Sequence, residues 1–310
     1  MPAWLEQFAP ILILLTVVGV VITRLPSIDL GHSAAFKKRR ILNWLPLGLT
    51  YAFLYMGRYN LTVSKNAFET MTRFDGSPMM GNDDFGIIFG VGTVIYGCSF
   101  LINGPLTDRL GGRFSILCGA AGSSVMNLVM GLVLWTLISN GPGRDFCAEN
   151  FTAVFSILYA MNMYFQSFGA VAIVKVNAPW FHVNERGVFG AIFGILISLG
   201  IYFAFDWGFM ILKNVGLTWV FLVPAILLAI FWVLDFNIVK NTPGEAGLTD
   251  FDTADASSGD DGPQLGSMAV FKIMLKNPVI MTIAGIEFCS GFLRQAIMQW
   301  YRTFAKQTDA

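Results

Sequence analysis

The sequence is poor in charged residues, histidine and cysteine. Charged residues make up 13% of the 310 residues, whereas a soluble domain has about 25%. There are two histidines and four cysteines, and no cysteine pair has the Cys-x-x-Cys spacing of common metal sites. We therefore expect neither a metal site nor a cofactor, and we interpret the cysteines as small buried hydrophobic residues.

The sequence also has no net charge at pH 7, so its charge gives no reason to expect a nucleic-acid partner. It contains no Walker loop and no candidate catalytic triad, and we predict that the chain is not an enzyme. In contrast, 55% of the residues are hydrophobic and the mean hydropathy is +0.62. These values predict a multi-pass protein of a cell inner or plasma membrane, with the lipid bilayer around it.

Long apolar segments recur along the chain. A helix needs about 20 predominantly apolar residues to cross a bilayer, and eight segments meet this requirement. They are Leu5–Thr23, Ile41–Val63, Phe85–Leu106, Phe114–Ile138, Phe151–Val174, Val188–Leu212, Gly216–Val239 and Pro278–Tyr301. We predict an all-α membrane protein whose first segment is an extra anchor helix. That segment lacks the basic leader and cleavage site of a signal peptide.

The distribution of lysine and arginine predicts the orientation, because both residues are enriched in cytoplasmic segments. We place the basic run Lys37–Arg40 inside and let the helices alternate. Twelve lysines and arginines then lie inside and six outside, and the other two lie within membrane segments. This bias favours a cytoplasmic location for the basic run.

The segment Asn241–Ser267 contains six acidic residues and neither lysine nor arginine. Together with its glycine and serine content, this pattern predicts a flexible linker. The next residues, Met268–Lys276, are expected to lie on the inner membrane surface. The predicted domains are residues 1–36 (anchor helix and connector), 37–240 (six-helix bundle), 241–276 (acidic linker and interfacial helix) and 277–310 (first helix of a second bundle).

Two arginines, Arg58 and Arg294, lie about 17 residues into their apolar runs. A cation within the bilayer costs several kcal/mol unless it faces a polar cavity, so such residues mark substrate paths. Two guanidinium groups facing one cavity would bind an anion from both sides. Glu287 lies seven residues before Arg294 on the same helix face. Its function is either proton coupling or that of a counter-ion for an empty site. Alternatively, it is a structural group that is paired with a polar neighbour or held neutral.

Other polar residues of the apolar segments have less specific roles. Asp206 and Asp235 lie near the ends of their segments, and we expect both at the membrane interface. Asn103, Asn162 and Gln166 either line the cavity or form helix–helix hydrogen bonds.

The segment Gly104–Arg113 reads GPLTDRLGGR. It resembles the signature loop G-x-L-x-D-R-x-G-x-R of the major facilitator superfamily. The resemblance implies an inside turn between the second and third core helices. There Asp108 would pair with an arginine or a helix N-terminus. Together with Arg109 and Arg113, Asp108 would form a latch that holds one conformational state.

The segment Tyr51–Asn60 reads YAFLYMGRYN. It resembles the first core helix of the organophosphate:phosphate antiporters, the glycerol-3-phosphate and hexose-phosphate transporter group of that superfamily. Further segments resemble the same group, and the resemblance runs from Lys37 to Lys306. These segments are Phe165–Gly169, Trp180, Glu185–Gly187, Thr242–Leu248, Phe292–Arg294 and Trp300.

This second resemblance implies specific roles in substrate binding. Arg58 and Arg294 would bind the substrate phosphate, and Tyr51, Tyr55 and Tyr96 would line the site. The implied activity is secondary transport of a small organic anion, a phosphate ester, by alternating access, with exchange for inorganic phosphate. A membrane sensor of sugar phosphate and a proton-coupled carboxylate or sugar carrier remain alternatives.

The chain departs from the group at two positions and in length. Phe100 and Ile197 stand where members often carry a lysine and a histidine, which predicts a different ester or weaker coupling. The superfamily has twelve core helices and the sequence contains seven of them. We therefore expect either a fragment or a product whose remaining C-terminal helices are lost or encoded separately. If they are encoded separately, they would act as a partner.

Overall fold

The computed structural model describes residues 30–254 and 267–308, together with residues 16, 19 and 20. The two long stretches belong to two compact units. The predicted anchor helix Leu5–Thr23 lies outside the described residues except at those three positions. Residues 255–266 of the predicted linker also lie outside them.

The described residues are almost entirely helical, as expected for an all-α membrane protein. The first unit contains α1 (Ala34–Thr70), α2 (Asn82–Leu110), α3 (Gly112–Ser139), α4 (Arg144–Glu149), α5 (Phe151–Gln166), α6 (Phe168–Asn177), α7 (Arg186–Tyr202), α8 (Gly208–Asn214) and α9 (Leu217–Ile238). The second unit contains α10 (Ser267–Lys276) and α11 (Pro278–Thr308).

Within the described residues, six helical segments are long and apolar enough to cross a membrane. They are Asn82–Leu110, Gly112–Ser139, Phe151–Trp180, Val183–Asn214, Leu217–Ile238 and Pro278–Thr308. Each overlaps a predicted segment, which confirms those predictions. Helix α1 is not among the six, because its central turns carry many polar side chains, and most of these are buried inside the bundle.

Helix α1 lies at the centre of the first unit. It packs against α7 and α9, while α3 packs against α5, α6 and α9, and α2 packs against α5. One end of the bundle is filled by aromatic rings: Phe151 stacks on Phe155 at 4.4 Å, and Phe68 lies 5.1 Å from Phe151. Elsewhere in the bundle, helices approach one another closely where one of them has a glycine. A Cβ on Gly92 would lie 2.4 Å from the ring of Tyr159.

We expected the cysteines to be buried in the core, and the structure places them elsewhere. All four are free, and Cys98 and Cys289 are exposed at helix surfaces, while Cys118 and Cys147 are partly exposed. A thiol is compatible with either a protein or a lipid environment, so apolar context alone could not assign these residues to the protein core.

A π-helical turn, Phe203–Trp207, interrupts the continuous helix predicted over Val188–Leu212. Two of its side chains contact α1: the Phe203 ring stacks on Phe53 at 5.2 Å, and the Phe205 ring lies 5.2 Å from Tyr59. Such turns insert one residue into an α-helix and often occur near functional sites. The apolar pattern gives no signal for the insertion, because the segment FAFDW contains neither proline nor glycine.

The signature segment forms less of a loop than the sequence indicated. Helix α2 continues through Pro105 to Leu110, and only Gly111 separates it from α3. Gly111 has φ 87° and ψ 151°, a conformation that residues with a Cβ rarely adopt. This glycine therefore makes the sharp connection between the two helices.

The described part of the predicted linker contains a local hydrogen-bonded turn, which the sequence did not indicate. Residues 239–254, here called the strap, contain a 3₁₀ turn at Gly244–Ala246, followed by Gly247 with φ 76°. The N–H of Gly244 donates to Asp250 Oδ1 at 2.7 Å. An acidic side chain thus closes a local turn, a contact that composition-based reasoning about linkers does not consider.

The strap is anchored to the helix ends nearest the basic run. Asn43 and Lys240 exchange two hydrogen bonds, of 3.1 and 2.8 Å. The carbonyl of Thr253 accepts the N–H of Val183 at 3.0 Å. The Phe251 ring lies 5.4 Å from Phe36. These contacts hold the strap against α1 and the connection between α6 and α7.

Two cations of the basic run stabilise this end of the bundle. Arg40 donates to both carboxylate oxygens of Glu185, at 3.0 and 2.9 Å, and to the carbonyl of Trp180 at 3.3 Å. Arg39 donates to the carbonyl of Ile238 at 2.6 Å. Both oxygens of Glu185 are reached by Nη1 of Arg40. Hydrogen bonds between two charged groups are strong, so this ion pair should fix α1 against the start of α7.

We predict that Glu185→Gln lowers the free energy of unfolding by roughly 2 kcal/mol. Breaking a fully buried ion pair costs about 3–5 kcal/mol, and the Arg40 side chain retains 17% exposure. The measurement is unfolding of the full chain in detergent. Glu149→Gln, at an exposed carboxylate, is the control and should change stability by less than about 0.5 kcal/mol. Equal losses in the two variants would contradict the assignment.

Candidate functional site

Arg58 lies in the middle of α1 and retains only 9% exposure. The residues on either side of Arg58 in α1 are buried as well, so this part of the helix has no face in water. A buried guanidinium keeps its charge and must be accommodated by polar or aromatic groups. The surroundings of Arg58 therefore define the candidate site.

Two side chains from other helices accept hydrogen bonds from Arg58. Its Nε–H donates to Gln166 Oε1 at 3.0 Å, and its Nη2 donates to the Tyr96 hydroxyl at 3.1 Å. The guanidinium carbon also lies 4.5 Å from the ring centre of Tyr96 and 4.9 Å from that of Tyr55. Aromatic faces attract cations, so both rings help to hold the charge.

The tyrosines predicted to line the site therefore lie around Arg58. Tyr51 packs edge-on against Tyr55 with ring centres 5.3 Å apart. Gly169 makes room for Tyr51, since a Cβ on this glycine would lie 3.1 Å from the ring. Tyr96, on α2, stacks edge-on against Phe100 at 4.9 Å. Phe100 thus places an aromatic ring beside Tyr96, at the position that the sequence comparison marked for a lysine.

No carboxylate among the described residues forms an ion pair with Arg58. A guanidinium has five N–H donors, and two of those of Arg58 have protein partners. Three donors are left beside two tyrosine rings. This arrangement suits a tetrahedral or planar oxyanion, which accepts forked hydrogen bonds from arginine.

The polar residues whose roles the sequence left open have different surroundings. Gln166 contacts the Arg58 guanidinium directly. Asn103 donates to Ser167 Oγ at 2.6 Å, and Asn162 donates to the carbonyl of Gly57 at 2.9 Å. The first of the three is therefore a site residue, and the other two form helix–helix hydrogen bonds.

Asp235 is buried inside the bundle, although it lies near the end of α9. Its side chain is fully buried, and Oδ2 accepts a hydrogen bond from Thr50 at 2.6 Å. This face of α9 packs against α1, so protein covers the carboxylate. Its expected place at the membrane interface stays a prediction. Sequence position along a helix does not reveal which face is covered.

Two predicted site residues, Arg294 and Glu287, lie on α11 in the second unit. Both side chains are exposed. The proposed sharing of one cavity between Arg58 and Arg294 therefore stays a prediction, as does proton coupling at Glu287.

The predicted latch residues make contacts at the basic end of the bundle. Asp108 pairs with Lys175 at 3.2 Å, rather than with an arginine or a helix N-terminus. Arg113 donates to the carbonyl of Phe236 through its guanidinium. Its backbone N–H donates to Asn241 Oδ1 at 2.9 Å, so a strap residue caps α3. Arg109 is exposed.

The Major Facilitator Superfamily matches residues 47–309, which include most of α1, with its buried arginine, and most of both units. The chain belongs to this superfamily. The signature segment and the polar first helix were sufficient to indicate this from the sequence.

Relatives within the superfamily are similar at low identity. The glycerol-3-phosphate transporter of Bacillus subtilis is 22% identical over 89% of this chain and 60% of its own length. A probable hexose phosphate transport protein of Chlamydia trachomatis is 19% identical over 88% of this chain and 58% of its own length. The membrane sensor protein UhpC of Salmonella typhimurium is 25% identical over 53% of this chain and 31% of its own length. The chain thus spans about three fifths of the length of the two transport proteins.

The contacts of Asp108 and Asn241 predict how much each side chain contributes to stability. Asp108 and Lys175 are partly exposed, at 66% and 30%, so Asp108→Asn should change the free energy of unfolding by less than about 0.5 kcal/mol. Asn241→Ala removes a helix cap and should cost about 1 kcal/mol. Unfolding measurements on the two variants in one detergent compare the effects. A larger loss for Asp108→Asn than for Asn241→Ala would show that the signature aspartate is mainly structural.

Proposed function

We propose that this chain provides the anion-binding bundle of a secondary transporter for a small phosphate ester. The observation that carries the proposal is the buried Arg58, which has three unused N–H donors and no carboxylate partner among the described residues. The charge of this residue is balanced when an anion binds. Alternating access would then follow from movement of a second bundle against this one.

The chemical class of the anion follows from geometry and from similarity. Arginine forms forked hydrogen bonds with phosphate oxygens, and the rings of Tyr51, Tyr55 and Tyr96 offer an apolar surface to the organic part of an ester. The names of the matched transport proteins refer to glycerol 3-phosphate and hexose phosphate. The match to the transporter covers 89% of this chain and the match to the sensor 53%, which favours transport over sensing.

Substitution of Arg58 tests this proposal. Arg58→Gln should weaken binding of glycerol 3-phosphate by at least about tenfold, since hydrogen bonds to charged groups contribute about 1.5–3 kcal/mol each. Arg58→Lys keeps the charge but loses the fork, and an intermediate affinity is expected. Titration calorimetry on the full chain in lipid nanodiscs gives the affinities. Lys38→Gln, at an exposed cation, serves as the control, and an equal loss there would contradict a specific site.

Ligand selectivity provides a separate test. We expect glycerol 3-phosphate, glucose 6-phosphate and inorganic phosphate to raise the melting temperature of the chain, because ligands that bind the folded state stabilise it. Glycerol and glucose should have no effect at the same concentrations. Sodium chloride at matched ionic strength controls for screening. Stabilisation by the neutral compounds but not by the phosphates would overturn the assignment to an anion.

A further inference from the structure

Three buried asparagines from three helices meet beside Arg58. They are Asn60 of α1, Asn127 of α3 and Asn162 of α5, and none is more than 1% exposed. Buried amides are found where hydrogen bonds satisfy them. None of the three hydrogen-bonds to the Arg58 guanidinium, so they have no direct part in the anion site described above.

Asn127 is the central member of this cluster. Its Nδ2 donates to Asn162 Oδ1 at 3.1 Å and to the carbonyl of Ser123 at 2.8 Å. Its Oδ1 accepts a hydrogen bond from Asn60 Nδ2. Donors on one side and an acceptor on the other allow only one orientation of the amide.

The orientation of the Asn127 amide determines the orientations of the next two amides, and the second of these contacts Arg58. Asn162 Oδ1 also accepts a hydrogen bond from Gln166 Nε2 at 3.4 Å. With its amide nitrogen directed to Asn162, Gln166 presents Oε1 to the Nε–H of Arg58. The chain of amides from Asn127 to Gln166 therefore sets which atom faces the guanidinium.

The same cluster fixes the backbone of α1 at the site. The carbonyl of Gly57 accepts Asn162 Nδ2 at 2.9 Å, and the carbonyl of Arg58 accepts the Tyr159 hydroxyl at 2.9 Å. Asn127 lies against this turn of the helix, since a Cβ on Gly57 would be 2.7 Å from its Nδ2. A glycine next to Arg58 thus permits the close approach of the amide.

We infer that Asn127 is a positioning residue that orients the Arg58 guanidinium through Asn162 and Gln166, so that its free N–H groups face the anion. The role rests on the proposed function of Arg58 as the anion-binding residue. Asn127 itself does not touch the ligand.

Hydrogen exchange of the Arg58 Nε–H measures the positioning without any ligand. The full chain is labelled with ¹⁵N-arginine in detergent micelles, and the Arg58 signal is assigned by its disappearance in Arg58→Lys. Asn127→Ala should accelerate the exchange roughly tenfold, because the hydrogen bond to Gln166 is no longer held in place. The affinity for inorganic phosphate, measured separately by calorimetry, should fall by about tenfold as well.

Two further variants make the result interpretable. Gly57→Ala pushes the Asn127 amide away from the opposite side, and it should reproduce both effects even if Asn127→Ala fails to fold, since alanine favours the helix. Ser123→Ala is the matched control on α3, because its buried hydroxyl has no hydrogen-bond partner among the described residues. That control should leave exchange and affinity unchanged.

The outcomes separate this inference from the proposed function. Unchanged Nε–H exchange in Gly57→Ala and in folded Asn127→Ala overturns the positioning role, whether or not phosphate binds. Equal acceleration in Ser123→Ala overturns it too, since loosening of α3 would then be the cause. Accelerated exchange in the two test variants alone supports the role. If the wild-type chain then binds no phosphate, only the proposed function fails.

Discussion

The buried charge of Arg58 is the constraint on which the centre of the bundle depends. A guanidinium in a low-dielectric interior needs compensation, and here it comes from Tyr55, Tyr96 and Gln166. Rings and neutral amides stabilise the cation without neutralising it. The site therefore keeps a net positive charge that a carboxylate partner would have removed.

The same constraint explains why α1 is the polar helix of the bundle and why other helices approach it so closely. Gly57 and Gly169 remove side chains where Asn127 and Tyr51 pack. The central position of α1 lets its polar groups find partners on α2, α3 and α5. At the basic end the strap and the Arg40–Glu185 pair hold α1 against its neighbours. The centre and the end of the bundle are thus fixed by different interactions along one helix.

Sequence patterns predicted the helices well, because membrane spans need long apolar runs. They also singled out Arg58 as a candidate site residue, because a cation within such a run is rare. The partner of Asp108, the burial of Asp235 and the folded strap were not predicted. Each depends on which helix faces lie together, and composition carries no such information. The π turn Phe203–Trp207 was missed because no residue type marks it. Gln166 was foreseen only as one of two alternatives, since a polar residue facing a cavity and one facing a helix look the same in sequence.

The central claim is that an oxyanion accepts hydrogen bonds from the N–H groups of Arg58 that have no protein partner among the described residues. The most direct measurement is a structure of the full chain in lipid nanodiscs at saturating inorganic phosphate. We expect phosphate density within about 3 Å of the free Arg58 N–H groups, beside Tyr55 and Tyr96. An Arg58 side chain paired with a carboxylate under these conditions, or phosphate bound only at the Lys37–Arg40 run, would contradict the account.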